Sequence, residues 1–312
     1  MELKKTGIVL GLIITFQMTS AFADTVGNVP IRILPTKAKS SNLQAQQLVD
    51  LVRSNFDLSS AREARVQAIF NASGKSDHVL VYVLRKGVHG FKLSSVKVDA
   101  NNNVKSIDSN YRATAQDFAQ QPGSSTDYKC PDASVEFISF APNDNDLEQQ
   151  ITVGVADAAD AHHLKAVRLL KADATRQNYL NYMVCPNLKG NFYDGDSNPS
   201  EFITVDGLIG AQEVSTILKN TFRHKVVNIW LACEAFNDPM LSAVTKDAQA
   251  QKYAAGKNDL QVGPSDETGK CAMIAALDGQ AMTAAFNDCY KRLDVTSDQW
   301  GFDGDGSDYF GK

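Results

Sequence analysis

Long apolar runs are what this 312-residue sequence has least of. The longest mostly apolar stretch, Ile8 to Met18, falls short of the roughly 20 residues a membrane helix needs, and no later stretch reaches that length. A membrane span is therefore excluded. Basic residues are in the minority, 31 Lys and Arg against 36 Asp and Glu, for a formal charge of −5. An acidic chain argues against nucleic acid or an anionic membrane as partner. The five cysteines, Cys130, Cys185, Cys233, Cys271 and Cys289, include no C-x-x-C spacing, so neither a structural zinc site nor any other cofactor is expected. Histidine is scarce, with none between His163 and His224.

The N-terminal residues carry an export signal. Glu2, Lys4 and Lys5 make a positive n-region, Ile8 to Met18 an apolar core, and Ala21-Phe22-Ala23 a small-x-small cleavage site. Residues 1–23 are expected to be a signal peptide, making the mature protein secreted or periplasmic, with a formal charge of −6 once Glu2, Lys4 and Lys5 are gone. An oxidising compartment favours disulfides, and an odd cysteine count leaves one thiol over. Cys271 and Cys289 are expected to pair across a short helical turn, and Cys130 with Cys185. A Cys185–Cys233 bond is the alternative.

Two domains are expected from length. Arg112 to Lys129, rich in Gln, Ser and Thr and containing Pro122-Gly123, has linker composition (112–129). Before it, residues 24–111 read as a small α+β unit. Leu43, Gln47, Leu48, Leu51 and Val52 make one helical stripe, and Val66, Ile69 and Phe70 a second. His78 to Leu84, Phe91 to Val98 and Asn103 to Ile107 read as strands. His78 and His89 lie on or beside them and read as solvated or core residues.

Residues 130–312 alternate strand and helix, the signature of an α/β domain with helices on both faces of a parallel sheet. Val135 to Phe140, Tyr179 to Val184, Val226 to Ala232 and Leu260 to Val262 read as strands. Asp146 to Leu170 reads as one long helical segment. Val214, Ile217 and Leu218 mark a helix, Asp238-Pro239 opens another that Gly256 closes, and Met273 to Phe286 carries two more. Asp194-Gly-Asp196 and the Asp303-Gly-Asp305-Gly-Ser307-Asp308 run, an incomplete calcium loop, read as solvated polar turns.

Cys233 ends the most apolar strand, where open parallel sheets bind ligands, and a helix is expected to start soon after. Such a thiol can be activated as a nucleophile. Val-Val-Asn-Ile-Trp-Leu-Ala-Cys233 resembles the nucleophile strand of the caspase-like cysteine peptidases: caspases, metacaspases, legumains and gingipains. Asp206-Gly207 with the helix after it, Asp259 to Asp266, and the Met282 helix resemble that family's element order. The resemblance implies a caspase-like α/β domain with Cys233 as nucleophile and a protein or peptide as partner. It puts Lys189-Gly190 where the family has His-Gly, so Lys189 becomes the candidate base. Gly190, Asn191, Glu234, Ser265 and Asp266 become candidate substrate-binding residues. His224 is excluded as base, since nine extended residues separate it from Cys233 by roughly 30 Å. With no histidine in place, two further readings stand beside the peptidase: a catalytically inactive binding module, and a disulfide-stapled structural domain.

Overall fold

The computed structural model describes residues 29–36, 43–70, 76–99, 101–122, 127–221, 226–246, 252–295 and 299–303. The expected signal peptide, His224 and the acidic turn after Asp303 lie outside them.

The first sheet is formed by β1 (Ile31–Ile33), β2 (Ala61–Phe70), β3 (Ser76–Arg85), β4 (Phe91–Val98) and β5 (Val104–Asp108), in that spatial order. Helix α1 (Ala45–Asn55) packs on one face. Period-two alternation decides what each face meets. Ala64, Val66, Ala68 and Phe70 of β2, with Val79 and Val81 of β3, bury against Leu48 and Val52 of α1. Val66, Ile69 and Phe70, expected on a helix, therefore lie in a strand. Their spacing of three and four also fits a strand buried on both faces, and the ladder to β3 settles it.

Helix α2 (Ala115–Gln120) follows, capped by Thr114 and Asp117. It lies inside the segment expected as a linker. Its described residues 112–122 are docked: Asp117 and Gln121 are fully buried, and Gln121 accepts from the Leu208 amide at 2.5 Å.

The second sheet is built from β6 (Phe137–Ala141), α3 (Asp146–Ala161), β7 (Ala166–Leu170), α4 (Arg176–Met183), β8 (Gly190–Asp194), the small ribbon β9 (Glu201–Ile203) and β10 (Leu208–Gly210), α5 (Ala211–Thr221), β11 (Val227–Leu231), α6 (Met240–Thr245), β12 (Lys252–Gly256), α7 (Pro264–Leu277), α8 (Met282–Leu293) and β13 (Trp300–Asp303). The six main strands lie in the order β13-β12-β11-β8-β6-β7, all parallel except the edge strand β13. Helices cover both faces. Phe140, Trp230 and Tyr253 point to the α4/α5/α6 side, and Phe137, Ile229 and Leu231 to the α3/α7/α8 side. The α/β class holds: a mostly parallel sheet lies between two layers of helices.

Four local expectations change, one of them the helix expected from Asp238 to Gly256: α6 ends at Thr245, and Lys252 to Gly256 is strand β12. The segment Asp146 to Leu170 divides into α3 and β7, because Ala166 to Leu170 pairs with β6. Tyr179 to Val184 is helical, capped by the Thr175 hydroxyl accepting from the Asn178 amide. Its neighbour in the sheet is instead β8, which begins at Gly190. The last sheet strand before the C-terminal helices is β12, not Leu260 to Val262.

The two sheets share a core. Ile69, Leu80, Tyr82, Leu84, Phe91 and Leu93 on the second face of the first sheet pack against Ile203 and Leu208 of the β9/β10 ribbon. Side chains of this size contribute about 1.5–3 kcal/mol each when fully buried. The seam is therefore a hydrophobic interior rather than a wet contact between domains.

Candidate functional site

The carboxyl ends of β6, β8 and β11 converge on the seam. Between β6 and β8 the chain order reverses direction across the sheet, the position where open α/β sheets leave a crevice. The turn joining β3 to β4, Lys86 to Gly90, reaches across from the first sheet and fills this edge.

The turn docks through backbone bonds. His89 donates its amide to Leu260 O (2.9 Å), Val262 donates to Gly87 O (3.0 Å), and Cys233 donates to His89 O (2.8 Å). Ser197 also donates its amide to His89 O (3.3 Å), and Phe91 donates to Ser197 O (3.3 Å). The turn thus lies in the cleft as an added extended segment, the way peptides pair with a sheet edge. Gly90 permits the approach: a Cβ there would sit 3.0 Å from Cys233 Cβ and collide with the Arg85 guanidinium. Arg85 spans the rim with a two-pronged pair to Asp259, at 2.6 and 2.5 Å.

Cys233 is fully buried under this turn. Its Sγ accepts from the Leu260 amide at 3.1 Å and lies 3.7 Å from Leu260 O, and these are its hydrogen bonds among the described residues. Burial pushes the thiol well above its ordinary range, against the pull of the Leu260 amide and Arg85. The expected activation by a helix N-terminus is absent, because α6 begins only at Met240 and the chain turns away through Glu234, whose φ is +57°. Cys233 is the free thiol. Cys130–Cys185 and Cys271–Cys289 are bonded, as the sequence suggested, and the Cys185–Cys233 alternative falls.

The other candidate residues separate into two groups. Lys189 precedes β8 at the amino edge, where it pairs with Glu136 at 2.7 Å. Five strand residues at about 3.3 Å each put it roughly 16 Å from the carboxyl edge, so it cannot serve Cys233 as base. Gly190 and Asn191 open β8 at that same far end. Asn191 is buried and bonded to Tyr179 and Asn228, so neither residue lines the cleft. The error follows from reading α4 as the preceding strand. In the observed register Asp194 lies opposite Leu231, at the carboxyl end of β8. Glu234, Ser265 and Asp266 do lie at the carboxyl edge, Glu234 half-buried and the other two buried in the first turn of α7.

The sequence reading missed the residue most deeply inserted there. His89 is fully buried; its Nε2 contacts Asp266 Oδ1, and its Nδ1 faces Asp194 Oδ1 at 3.8 Å and Glu148 Oε1 at 3.9 Å. Nothing local marks it, since its partners come from α3, β8 and α7. Asp194 and Asp196, read as a solvated turn, are both fully buried. Arg62 of β2 enters the same crevice and pairs with Glu148 (3.0 Å) and Asp196. Asn143 donates to Glu148 Oε2 at 2.8 Å and Asp196 Oδ2 at 2.9 Å. Burial lowers the affinity of His89 for its proton, but Asp266 and the other carboxylates outweigh it and raise the pKa. Burial, with the like charges around it, holds Asp194 well above the carboxylate range, and burial raises Glu148.

Neither family models nor curated protein sequences give a match. Among solved structures the chain is similar to the Arg-specific cysteine proteinase gingipain R, with a TM-score of 0.42 and 12% identity over 58% of this chain. The match spans 49% of that structure, about half its length, and a likeness of this size says nothing about activity.

Proposed function

We propose that this chain is a catalytically silent, exported relative of the caspase-like cysteine peptidases, whose cleft serves as the docking slot for its own N-terminal sheet. The observation that carries this is the surroundings of Cys233 Sγ, which bonds only to the Leu260 backbone among the described residues. A nucleophilic thiol needs a base within about 3 Å and a route for the acyl group. No side-chain base bonds the thiol among the described residues, and the Lys86–Gly90 turn takes the place of a substrate backbone. Export is supported by the two disulfides, which belong to oxidising compartments, and by the N-terminal signal pattern. Its partners in this reading are proteins or peptides bound at surfaces other than the filled cleft. The test is hydrolysis of a fluorogenic peptide library by the full chain and by Cys233→Ala. Equal, background rates are expected. Turnover that disappears in Cys233→Ala would overturn the reading.

A latent peptidase is the second reading, favoured by one observation: Cys233 stays unpaired while the four other cysteines are bonded. It requires turnover once the Lys86–Gly90 turn is displaced, and a cut between β3 and β4 that yields none excludes it.

A further inference from the structure

The crevice between the carboxyl ends of β6 and β8 holds more negative charge than its cations answer. Glu148, Asp194, Asp196 and Asp266 are each fully buried there, and among the described residues Arg62 and His89 are the groups that pair with them as cations. Arg62 and Asn143 account for Glu148 and for one oxygen of Asp196. Neither oxygen of Asp194, nor Nδ1 of His89, has a hydrogen-bond partner among the described residues. Buried polar groups left this way are costly, a charged one most of all. Ligand atoms offered by His89, Asp194 and Asp266 all lie within 4.8 Å of one another.

We propose that this crevice binds one zinc ion, with His89 Nδ1 and the Asp194 carboxylate as its inner ligands. Glu148, 3.9 Å from Nδ1 and paired with Arg62 at 3.0 Å, stands outside this set and adds negative charge beside it. A cation about 2.1 Å from nitrogen and oxygen fits between Nδ1 and Asp194 Oδ1, 3.8 Å apart, at a wide coordination angle. With Nε2–H donating to Asp266 Oδ1, Nδ1 is left free to ligate; a carboxylate behind a metal-bound imidazole is the usual outer-shell arrangement. Asp266 is itself held by the Gly263 amide at 2.6 Å. One imidazole with carboxylates and no thiolate suits a divalent first-row ion better than calcium, which takes more oxygens. The absence of zinc spacing in the sequence does not bear on this set, because His89, Asp194 and Asp266 come from a turn of the first sheet, β8 and α7. The ion would tie the first sheet to the second, and it binds whether or not Cys233 reacts.

The experiment is to unfold the full chain in urea with a chelator, disulfides intact, then refold it with or without zinc chloride. Bound metal is counted by mass spectrometry after gel filtration. One zinc per chain is expected in the wild type, with a thermal midpoint raised relative to the metal-free protein. Asp194→Asn keeps the shape and removes a buried charge, so it is expected to fold and to bind zinc at least tenfold more weakly. His89→Gln is expected to do the same. Wild-type protein that refolds without retaining zinc would overturn the proposal, as would Asp194→Asn retaining a full equivalent. Zinc content is read without any peptide substrate, so this result and the peptidase assay can fail independently.

Discussion

The amide of Cys233 donates to the carbonyl oxygen of His89 at 2.8 Å, so one backbone bond joins the thiol strand to a turn of the other sheet. Access to the thiol and docking of that turn are therefore the same event.

Alkylation should read this out. Native protein is expected to react with iodoacetamide at Cys233 at least about tenfold more slowly than a free cysteine, and to give one labelled thiol after unfolding without reductant. Gly90→Val adds a branched side chain against Cys233 Cβ and the Arg85 guanidinium, which should cost about 1–3 kcal/mol and speed labelling. Mass mapping of labelled peptides gives the rates, and rapid stoichiometric labelling of the native wild type would contradict the buried site.

Two arginines at the seam should differ sharply. Arg85 and its partner Asp259 are 25% and 47% exposed, and Arg85→Met is expected to cost less than about 1 kcal/mol. Arg62 faces Glu148 and Asp196, both fully buried, so Arg62→Met strands two carboxylates and should cost about 3–5 kcal/mol. Urea unfolding of the two variants at neutral pH decides it; equal losses would contradict the charge assignment.

Glu201 gives the fold a pH dependence. It is 2% exposed, receives the Ala113 amide at 3.1 Å, and burial pushes its carboxyl up to about 7. The folded protein therefore holds this proton more tightly than the unfolded chain, whose value is near 4.5. The contribution is full below about 4.5 and is lost as pH rises to about 7, a swing of about 3 kcal/mol. Glu201→Gln should remove that slope and be the more stable protein at pH 8. Urea midpoints across pH 4–8 check it, with an unchanged slope as the contrary result.

The disulfides close loops of different length, with sequence separations of 55 for Cys130–Cys185 and 18 for Cys271–Cys289. In the chain-entropy account their removal costs about 4 and about 3 kcal/mol. Paired Cys→Ala variants compared by chemical unfolding should rank in that order.

The sequence made the α/β class, the position of Cys233 at a strand end, both disulfides and the free thiol legible. These rest on local signals: an unbroken apolar strand, an odd cysteine count, a helical turn between Cys271 and Cys289. The frame failed between Tyr179 and Asp194. Tyr179, Leu180 and Met183 are apolar enough for either a strand or a buried helix face, and a short segment carries too little periodicity to choose. That single slip put Lys189 at the carboxyl edge, where Asp194 stands. His89 was illegible for a different reason: its burial depends on Asp266, 177 residues away, and no window along the chain contains both.

That same distance governs assembly. Contacts such as His89 to Asp266 and Arg85 to Asp259, with separations of 177 and 174, can form only after large loops have closed, and loop closure slows folding. During synthesis the first sheet emerges well before α7 exists, so its Ile69, Leu80, Leu84 and Leu93 face must wait uncovered for the β9/β10 ribbon. The crevice is thus the last region to close. In that interval the nascent chain displays a sticky apolar sheet face, the kind of surface a chaperone binds.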